Sequence, residues 1–291
     1  MKNLILILFL TAICYGGGGQ ILDANDNPYY IASPYDGNEI ANLQYVQSAD
    51  VMYFVDGTDP VYKLSRTSHA DWTIAEVNFT RGPFKAENIT ATTIEPNATT
   101  GTITLNASSA TMWNANHIGA LWQITHTIGA NSVEGSFVGT ATGNSASLTV
   151  LLDQYFDFST HSAAPNWTGT IILQKSYDSG TTWKDVIPVH YENDGNIQYS
   201  EKEIVKDAIY RVHMESHTSG TCNYSLIARS FDVHGVVKIT AFTDANTVTA
   251  TVINTLGDTN ATTYWAEGAW SIDEGFPQAI AFYEERLCFA A

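Results

Sequence analysis

Short segments that alternate apolar and polar residues recur along this chain, and turn-forming residues separate them. Trp72–Phe79 and Thr102–Asn106 show this period of two, which is the pattern of a strand with one buried face. Gln44–Val55 is a mostly apolar strand or strand pair, closed by turn residues at Asp56-Gly57 and Asp59-Pro60. No segment shows a sustained helical period, and we find no tandem repeat. The sequence therefore predicts an all-β fold of the sandwich or barrel type.

The composition supports a packed β structure and argues against nucleic-acid binding. Of the 291 residues, 44% are hydrophobic and only 15% are charged, so the chain has enough apolar surface for a core. Lys and Arg number 13 against 30 Asp and Glu, which gives a formal net charge of −17. Ordinary DNA binding needs clustered Lys and Arg to displace counterions from the phosphates, and this charge balance disfavours it.

The first residues are open to two interpretations. Lys2 precedes the apolar run Leu4–Leu10, which has the shape of a secretory signal peptide. This run is too short to span a bilayer, because a span takes about 20 apolar residues. The alternative is a start codon misplaced inside a longer reading frame. We therefore assign residues 1–19 to a hydrophobic leader or a misplaced start.

The cysteines and histidines give no convincing metal or redox site. Cys14, Cys222 and Cys288 are too scattered for a disulfide framework, and no C-x-x-C pair indicates zinc. His213 and His217 have an H-x-x-x-H spacing. Their surroundings predict a strand, on which two residues four apart lie about 13 Å from each other. We predict no bound metal and no cofactor.

One turn signature is specific. The segment Ser176–Trp183 fits S-x-D-x-G-x-T-W and resembles the Asp box of sialidases and related β-propeller proteins. In such a hairpin the Asp carboxylate accepts N–H groups of the turn, the Gly allows a positive φ, and the Trp packs beneath. We predict a structural turn formed by Ser176, Asp178, Gly180, Thr182 and Trp183.

The same segment does not predict catalysis. A sialidase needs clustered arginines to hold a carboxylate, and this chain has a few scattered ones. Acidic residues are so plentiful that no pair stands out for glycoside cleavage. We interpret one group of them as a solvated face: Glu201, Glu203, Asp207 and Glu215. The prediction is that the chain is not an enzyme, with a glycan hydrolase as a third hypothesis.

Tryptophan side chains offer an alternative function, because an exposed indole ring stacks on sugars. Trp113, Trp122 and Trp167 are the candidates for glycan contact. The competing interpretation is core burial, where a large aromatic side chain contributes heavily to stability. We favour burial for most tryptophans, because their neighbours are apolar or β-forming.

Several motifs together resemble a family of tailed-phage structural proteins, the tail tubular or nozzle proteins and related prophage proteins. The most specific are Q-S-A-D-V-M at Gln47–Met52 and an ending of the form G-A-W-S…G-x-P…R-L-x-F-A. In order, the matching segments are Tyr45–Met52, Tyr62–Arg66 with Trp72, His117–Trp122, Ser176–Trp183, Trp265–Ser271, Gly275–Pro277 and Arg286–Ala290. Val236–Ile253 also resembles the FCCH module, named after a catalytic-cysteine half-domain of ubiquitin-activating enzymes, but no nucleotide-binding loop accompanies it.

The resemblance implies an inserted β-sandwich on a partial, propeller-like β platform. We expect residues 20–88 to form the N-terminal platform and residues 89–234 the inserted sandwich with the Asp-box hairpin. Residues 235–264 would be the FCCH-like module. Residues 265–291 would return to the platform, where the family pattern stops midway and the sequence looks like a fragment.

The function implied by the resemblance is structural. The chain would be a subunit of a phage tail tube, nozzle or head–tail connector region, forming a homo-oligomeric ring with other tail subunits. DNA would pass through the ring without specific binding, because acidic residues in the channel would repel it. The location would be the virion, after assembly in the host cytoplasm and without a membrane. The alternative is a secreted or virion-surface carbohydrate-binding protein that uses Trp113, Trp122 and Trp167.

Overall fold

The computed structural model describes residues 22, 25, 28–68, 70–191 and 196–290, and the all-β prediction is confirmed within them. The leader assigned to residues 1–19 lies outside these residues. Nineteen strands and two single-turn 3-10 helices, Glu39–Asn42 and Ala115–His117, form in the described part of the chain. The strands are β1 (Gln44–Ser48), β2 (Val51–Val55), β3 (Tyr62–Ser68), β4 (Asp71–Glu76), β5 (Ile94–Pro96), β6 (Thr102–Ala107), β7 (Leu121–Ile128), β8 (Asn131–Val138), β9 (Gly143–Asn144), β10 (Leu148–Val150), β11 (Tyr155–Ser176), β12 (Lys184–Tyr191), β13 (Ile197–Lys202), β14 (Ala208–Ala228), β15 (Phe231–Asp244), β16 (Thr247–Asn254), β17 (Trp265–Glu267), β18 (Ala279–Tyr283) and β19 (Arg286–Ala290).

The chain forms two compact units, and the second is an insertion in the sequence of the first. Unit 1 comprises Met1–His126 and His234–Ala291, and unit 2 comprises Thr127–Val233. The predicted boundaries at residues 20, 89, 235 and 265 stay predictions. Among the described residues, no helix reaches the length and apolar character that a membrane crossing requires.

Unit 1 contains a four-stranded antiparallel sheet with the order β1-β2-β3-β4, which we call the blade. Successive side chains of a strand point to opposite faces. In β2, Met52 and Phe54 pack on one face with Tyr35, whereas Tyr53 and Val55 join the apolar cluster on the other face. A four-stranded antiparallel meander with apolar residues on both faces is the organisation of a propeller blade. The propeller-like platform of the fold prediction corresponds to this sheet.

The hairpin of β18 and β19 covers the second face of the blade. Its turn residues Glu284 and Glu285 have φ values of 46° and 62°, the backbone of a tight two-residue hairpin turn. An aromatic group joins the hairpin to the preceding loop: the ring of Trp270 lies 4.9 Å from Phe79 and 5.5 Å from Phe289, centroid to centroid. An isolated hairpin is marginal in water, and this packing stabilises it.

A second sheet of unit 1 has the order β17-β7-β15-β16-β6-β5. A hairpin forms around Asp244-Ala-Asn246: β15 pairs antiparallel with β16, and the Asn246 amide donates to Asp244 Oδ1 at 2.8 Å. The strand β16 then pairs with β6, which places Val248 opposite Leu105. Both of these side chains are buried in the core of this sheet.

Unit 2 is built around the two long strands β11 and β14, which pair with each other along most of their length. One end of β11 pairs with β13 and the other with β12, and the register of the β11–β14 pair shifts between these ends. Such irregularities bend a strand, so the sheet curls around one core. At Gly220 φ is +86°, and a Cβ would lie 2.2 Å from the carbonyl oxygen of Asn166. Only glycine allows this close approach.

Two neighbouring residues of β14 test the core of unit 2. Leu226 is fully buried, whereas Ile227 is 37% exposed on the other face of the strand. Leu226→Ala is expected to lower the free energy of unfolding by about 2–5 kcal/mol, because it leaves a cavity. Ile227→Ala, the matched control, is expected to lower it by about 1 kcal/mol or less. Urea denaturation followed by circular dichroism measures both, and equal losses would contradict this assignment of faces.

Candidate functional site

The predicted Asp-box turn closes on its own side chains. Asp178 Oδ1 accepts hydrogen bonds from the Ser176 hydroxyl at 2.6 Å and the Thr182 amide at 2.8 Å. Its Oδ2 accepts from the Thr182 hydroxyl at 2.6 Å. The Gly180 amide donates to Ser176 Oγ at 2.9 Å, and Gly180 has a φ of +90°. Both carboxylate oxygens of Asp178 are therefore engaged within the turn.

Trp183 anchors the turn from below. Its indole N–H donates to the Gly180 carbonyl oxygen at 2.9 Å, and the Arg211 guanidinium lies 3.9 Å from the centre of its ring. Hydrogen bonds from Ser176 and Thr182 lower the pKa of Asp178 to about 2. These contacts stabilise the hairpin between β11 and β12 and keep the carboxylate ionised. The geometry is that of a structural turn.

The three tryptophans considered for glycan contact lie inside the molecule. Trp113, Trp122 and Trp167 are 3%, 2% and 0% exposed. In unit 1 the rings of Trp113 and Trp122 are 4.5 Å apart, and His117 packs edge-on against both. Trp167 belongs to the core of unit 2. None of these rings offers a face to a sugar, so the carbohydrate-binding alternative loses the residues on which it depended.

Glu203 corrects the interpretation of a solvated acidic face. Asp207 and Glu215 are exposed and Glu201 is half-buried, but Glu203 is only 2% exposed. Burial by itself raises the pKa of this carboxyl. Hydrogen bonds from the Tyr210 hydroxyl, the Val205 amide and the Tyr177 hydroxyl outweigh burial and leave it below the ordinary value. The Tyr210 hydroxyl donates to it at 2.7 Å. Sequence reasoning missed this network, because Tyr177 lies 26 residues from Glu203 and only the folding of β14 turns Tyr210 towards it.

The histidine pair on β14 forms no shared site. His213 Nδ1 bonds to Asn144 Oδ1 at 2.8 Å, and His217 Nδ1 bonds to the Ala141 carbonyl oxygen at 3.1 Å. Of the cysteines, Cys222 and Cys288 are free thiols, and Cys14 lies outside the described residues. Burial raises the pKa of the Cys222 thiol to about 12, so this thiol is unreactive at neutral pH.

Unit 1 contains a cavity of about 500 Å³. Most of its wall is apolar and includes Phe79, Ile239 and Trp270. On the same wall the Lys238 ammonium pairs with Glu76 at 2.7 Å. These residues come from distant parts of the chain, so no local pattern in the sequence indicated the cavity.

Three carboxylates of unit 1 form the acidic cluster, and the sequence did not single them out. Glu39 belongs to the first 3-10 turn, Asp56 follows β2, and Asp59 lies in the loop before β3. One oxygen from each lies within 4.8 Å of the others, so one metal ion could contact all three. The only local signal is the spacing of Asp56 and Asp59, which by itself indicates turn formation.

Comparisons with known proteins identify no family. No protein-family model matches the chain, and no curated protein matches it. Among solved structures, the Yersinia pseudotuberculosis-derived mitogen is similar at 22% identity, with 38% of this chain and 86% of the mitogen covered and a TM-score of 0.17. A GH31 alpha-xylosidase from Xanthomonas citri is similar at 10% identity, with 72% of this chain but only 32% of the xylosidase covered and a TM-score of 0.17. At these scores neither likeness supports an inference about this chain.

The low pKa of Asp178 gives a pH-dependent prediction. Because the pKa in the folded chain is about 2, below the ordinary value of 3.8, ionised Asp178 stabilises the fold above about pH 4. That contribution is lost as the pH falls towards 2. The stability difference between the wild type and Asp178→Asn is therefore expected to be constant near neutral pH and to shrink below about pH 4. Urea midpoints across this range measure it, with Glu215→Gln as an exposed control from the same unit. A difference that stays unchanged down to pH 2 would contradict the assignment.

Proposed function

We propose that this protein is a structural, non-catalytic subunit of a phage tail, acting in the tube or nozzle by assembling into a ring. The observation that carries the proposal is the convergence of the resembling motifs on the blade. The segments Gln47–Met52, Tyr62–Arg66 and Trp72 lie on consecutive strands of this sheet. Asp50, Arg66 and Trp72 meet at one end of it, where side chains and backbone join them.

The contacts at that end involve Asp50, Arg66 and Trp72. The Arg66 amide donates to the Asp50 carbonyl oxygen at 2.9 Å, and the Arg66 guanidinium lies 3.5 Å from Asp50 Oδ1. The same guanidinium lies 5.8 Å from the centre of the Trp72 ring. Residues from separate motifs therefore contact one another at the same end of the blade. These contacts support the interpretation that the motifs belong together.

The C-terminal motifs join the other end of the blade. Gly57, which follows β2, donates its amide to the Pro277 carbonyl oxygen at 3.0 Å and accepts from the Phe276 amide at 3.2 Å. Trp270 and Phe289 pack against the second face. Of the resembling segments, all but Ser176–Trp183 lie in unit 1.

Exposed apolar groups supply a surface for assembly. The blade has β1 as an outer strand among the described residues, and Tyr45 on it is 63% exposed. Next to the blade, Phe282 is 40% and Tyr283 is 67% exposed. Edge strands with free backbone groups and aromatic side chains pair readily with another chain. We assign this edge to contacts between copies in the ring, with the net charge of −17 keeping transported DNA from binding.

Oligomeric state tests the proposal. The purified chain is expected to form rings of one size, seen by light scattering after gel filtration and by negative-stain microscopy. Tyr283→Lys is expected to reduce the ring fraction at equal concentration, because it places a charge in the contact. Tyr264→Lys, another tyrosine of unit 1 at 54% exposure, is the control and should leave the ring intact. A wild-type chain that stays monomeric, alone and with other tail subunits, would overturn the proposal.

A further inference from the structure

The acidic cluster brings three carboxylates to one point of unit 1. An ion that takes oxygen ligands at about 2.4 Å spans nearly 5 Å between ligands on opposite sides. The contacting oxygens of Glu39, Asp56 and Asp59 all lie within 4.8 Å of one another. A single cation of this size therefore reaches all three. The ligands are all oxygen, with neither imidazole nor thiolate among them, which favours a hard cation.

One carboxylate oxygen of Asp56 accepts hydrogen bonds, and the other has no hydrogen-bond partner. Its Oδ1 accepts the amides of Thr58 at 3.0 Å and Asp59 at 2.9 Å, which fixes the carboxylate plane. Its Oδ2 is buried and has no hydrogen-bond partner, and the residue is only 5% exposed. Among the described residues, no Lys, Arg or His pairs with Asp56. A buried carboxylate oxygen without a partner is unfavourable unless a cation or a donor satisfies it.

Tyr35 supplies a second, independent observation. Its side chain is 1% exposed, and its hydroxyl also has no hydrogen-bond partner. Burial, followed by the negative charges of Asp56, Asp59 and Glu39, raises the pKa of this hydroxyl above its ordinary range. The hydroxyl is therefore neutral and within electrostatic reach of the acidic cluster. A neutral phenol oxygen beside a cation can ligate the ion or bond to one of its waters.

A polar cavity lies next to the acidic cluster. Asp56 lines a cavity of about 450 Å³ together with Asn42, Gln44 and Gln278. Side-chain amides are further oxygen donors, and a polar cavity holds the waters that complete the coordination of a large cation. This cavity therefore gives a partly hydrated ion a polar route to Asp56.

We propose that Glu39, Asp56 and Asp59 bind one Ca²⁺ ion in unit 1, with Tyr35 beside it. The ligands lie on a 3-10 turn and on a loop, and Ca²⁺ accepts such irregular geometry, whereas Mg²⁺ demands a near-ideal octahedron. Binding would join the Glu39–Asn42 turn to the end of β2 and so fix the start of the blade. This inference does not depend on the proposed tail function.

Calcium titration of the full chain tests the site. After dialysis against a chelator, Ca²⁺ is expected to bind with a stoichiometry of one by calorimetry and to raise the melting temperature, because the ion binds the folded state. Mg²⁺ is expected to bind more weakly. Asp56→Asn should weaken Ca²⁺ binding about tenfold or more, since it removes a charged ligand. Asp71→Asn, at an exposed position of β4, is the matched control and should bind like the wild type.

A second readout keeps the proposal falsifiable if Asp56→Asn does not fold. Tb³⁺ takes the same oxygen ligands, and a tyrosine close to the ion sensitises its emission. The wild type should show emission on excitation of tyrosine that Ca²⁺ competes away, and Glu39→Gln and Tyr35→Phe should reduce it. Absence of saturable Ca²⁺ binding by the wild type would overturn the proposal. So would unchanged binding by folded Asp56→Asn or Glu39→Gln.

Discussion

The blade of unit 1 depends on β2, because this strand packs against apolar residues on both faces. Met52 and Phe54 on one side and Val55 on the other are each less than 10% exposed. A strand in this position needs an apolar cover on each face, since unpaired apolar surface in water is unfavourable. Tyr35 contributes to one cover and the C-terminal hairpin to the other. Segments far apart in the sequence are held together for this reason.

The same constraint accounts for the chemistry at the end of β2. The strand stops at Asp56, whose Oδ1 caps the following turn, so a carboxylate is carried into the interior with its second oxygen free. The segment that covers the face of Met52 and Phe54 contains Tyr35, and the chain then brings Glu39 close to Asp56. Burial of apolar residues thus concentrates negative charge, and a bound cation is the simplest way to satisfy it. Assembly and ion binding would both act on this blade.

Unit 2 differs from the blade of unit 1, because its carboxylates at Asp178 and Glu203 have hydrogen-bond partners. Its core is continuous along two long, bulged strands, and its polar features are structural. The carboxylates of Asp178 and Glu203 are engaged by neighbouring hydroxyls and amides, and Trp167 fills the core rather than the surface. Such satisfied groups stabilise a fold. The turn at Asp178 could be predicted because all its partners lie within six residues, whereas the hydroxyls that bond to Glu203 come from Tyr177, which follows β11, and from Tyr210 on β14.

The sequence by itself determined the strands and turns, because these depend on residues that are close together in the chain. Alternating residues predicted strands, and the turn residues of Ser176–Trp183 predicted the hairpin at Asp178, since period and turn chemistry are local. Tertiary structure alone decided which side chains are buried and which meet. Trp122 lies in an alternating segment that is compatible with either a surface or a core position, and only the tertiary packing places its side chain inside. Glu39 and Asp56 meet because strand pairing and a shared core bring their segments together, and no local pattern encodes that distance.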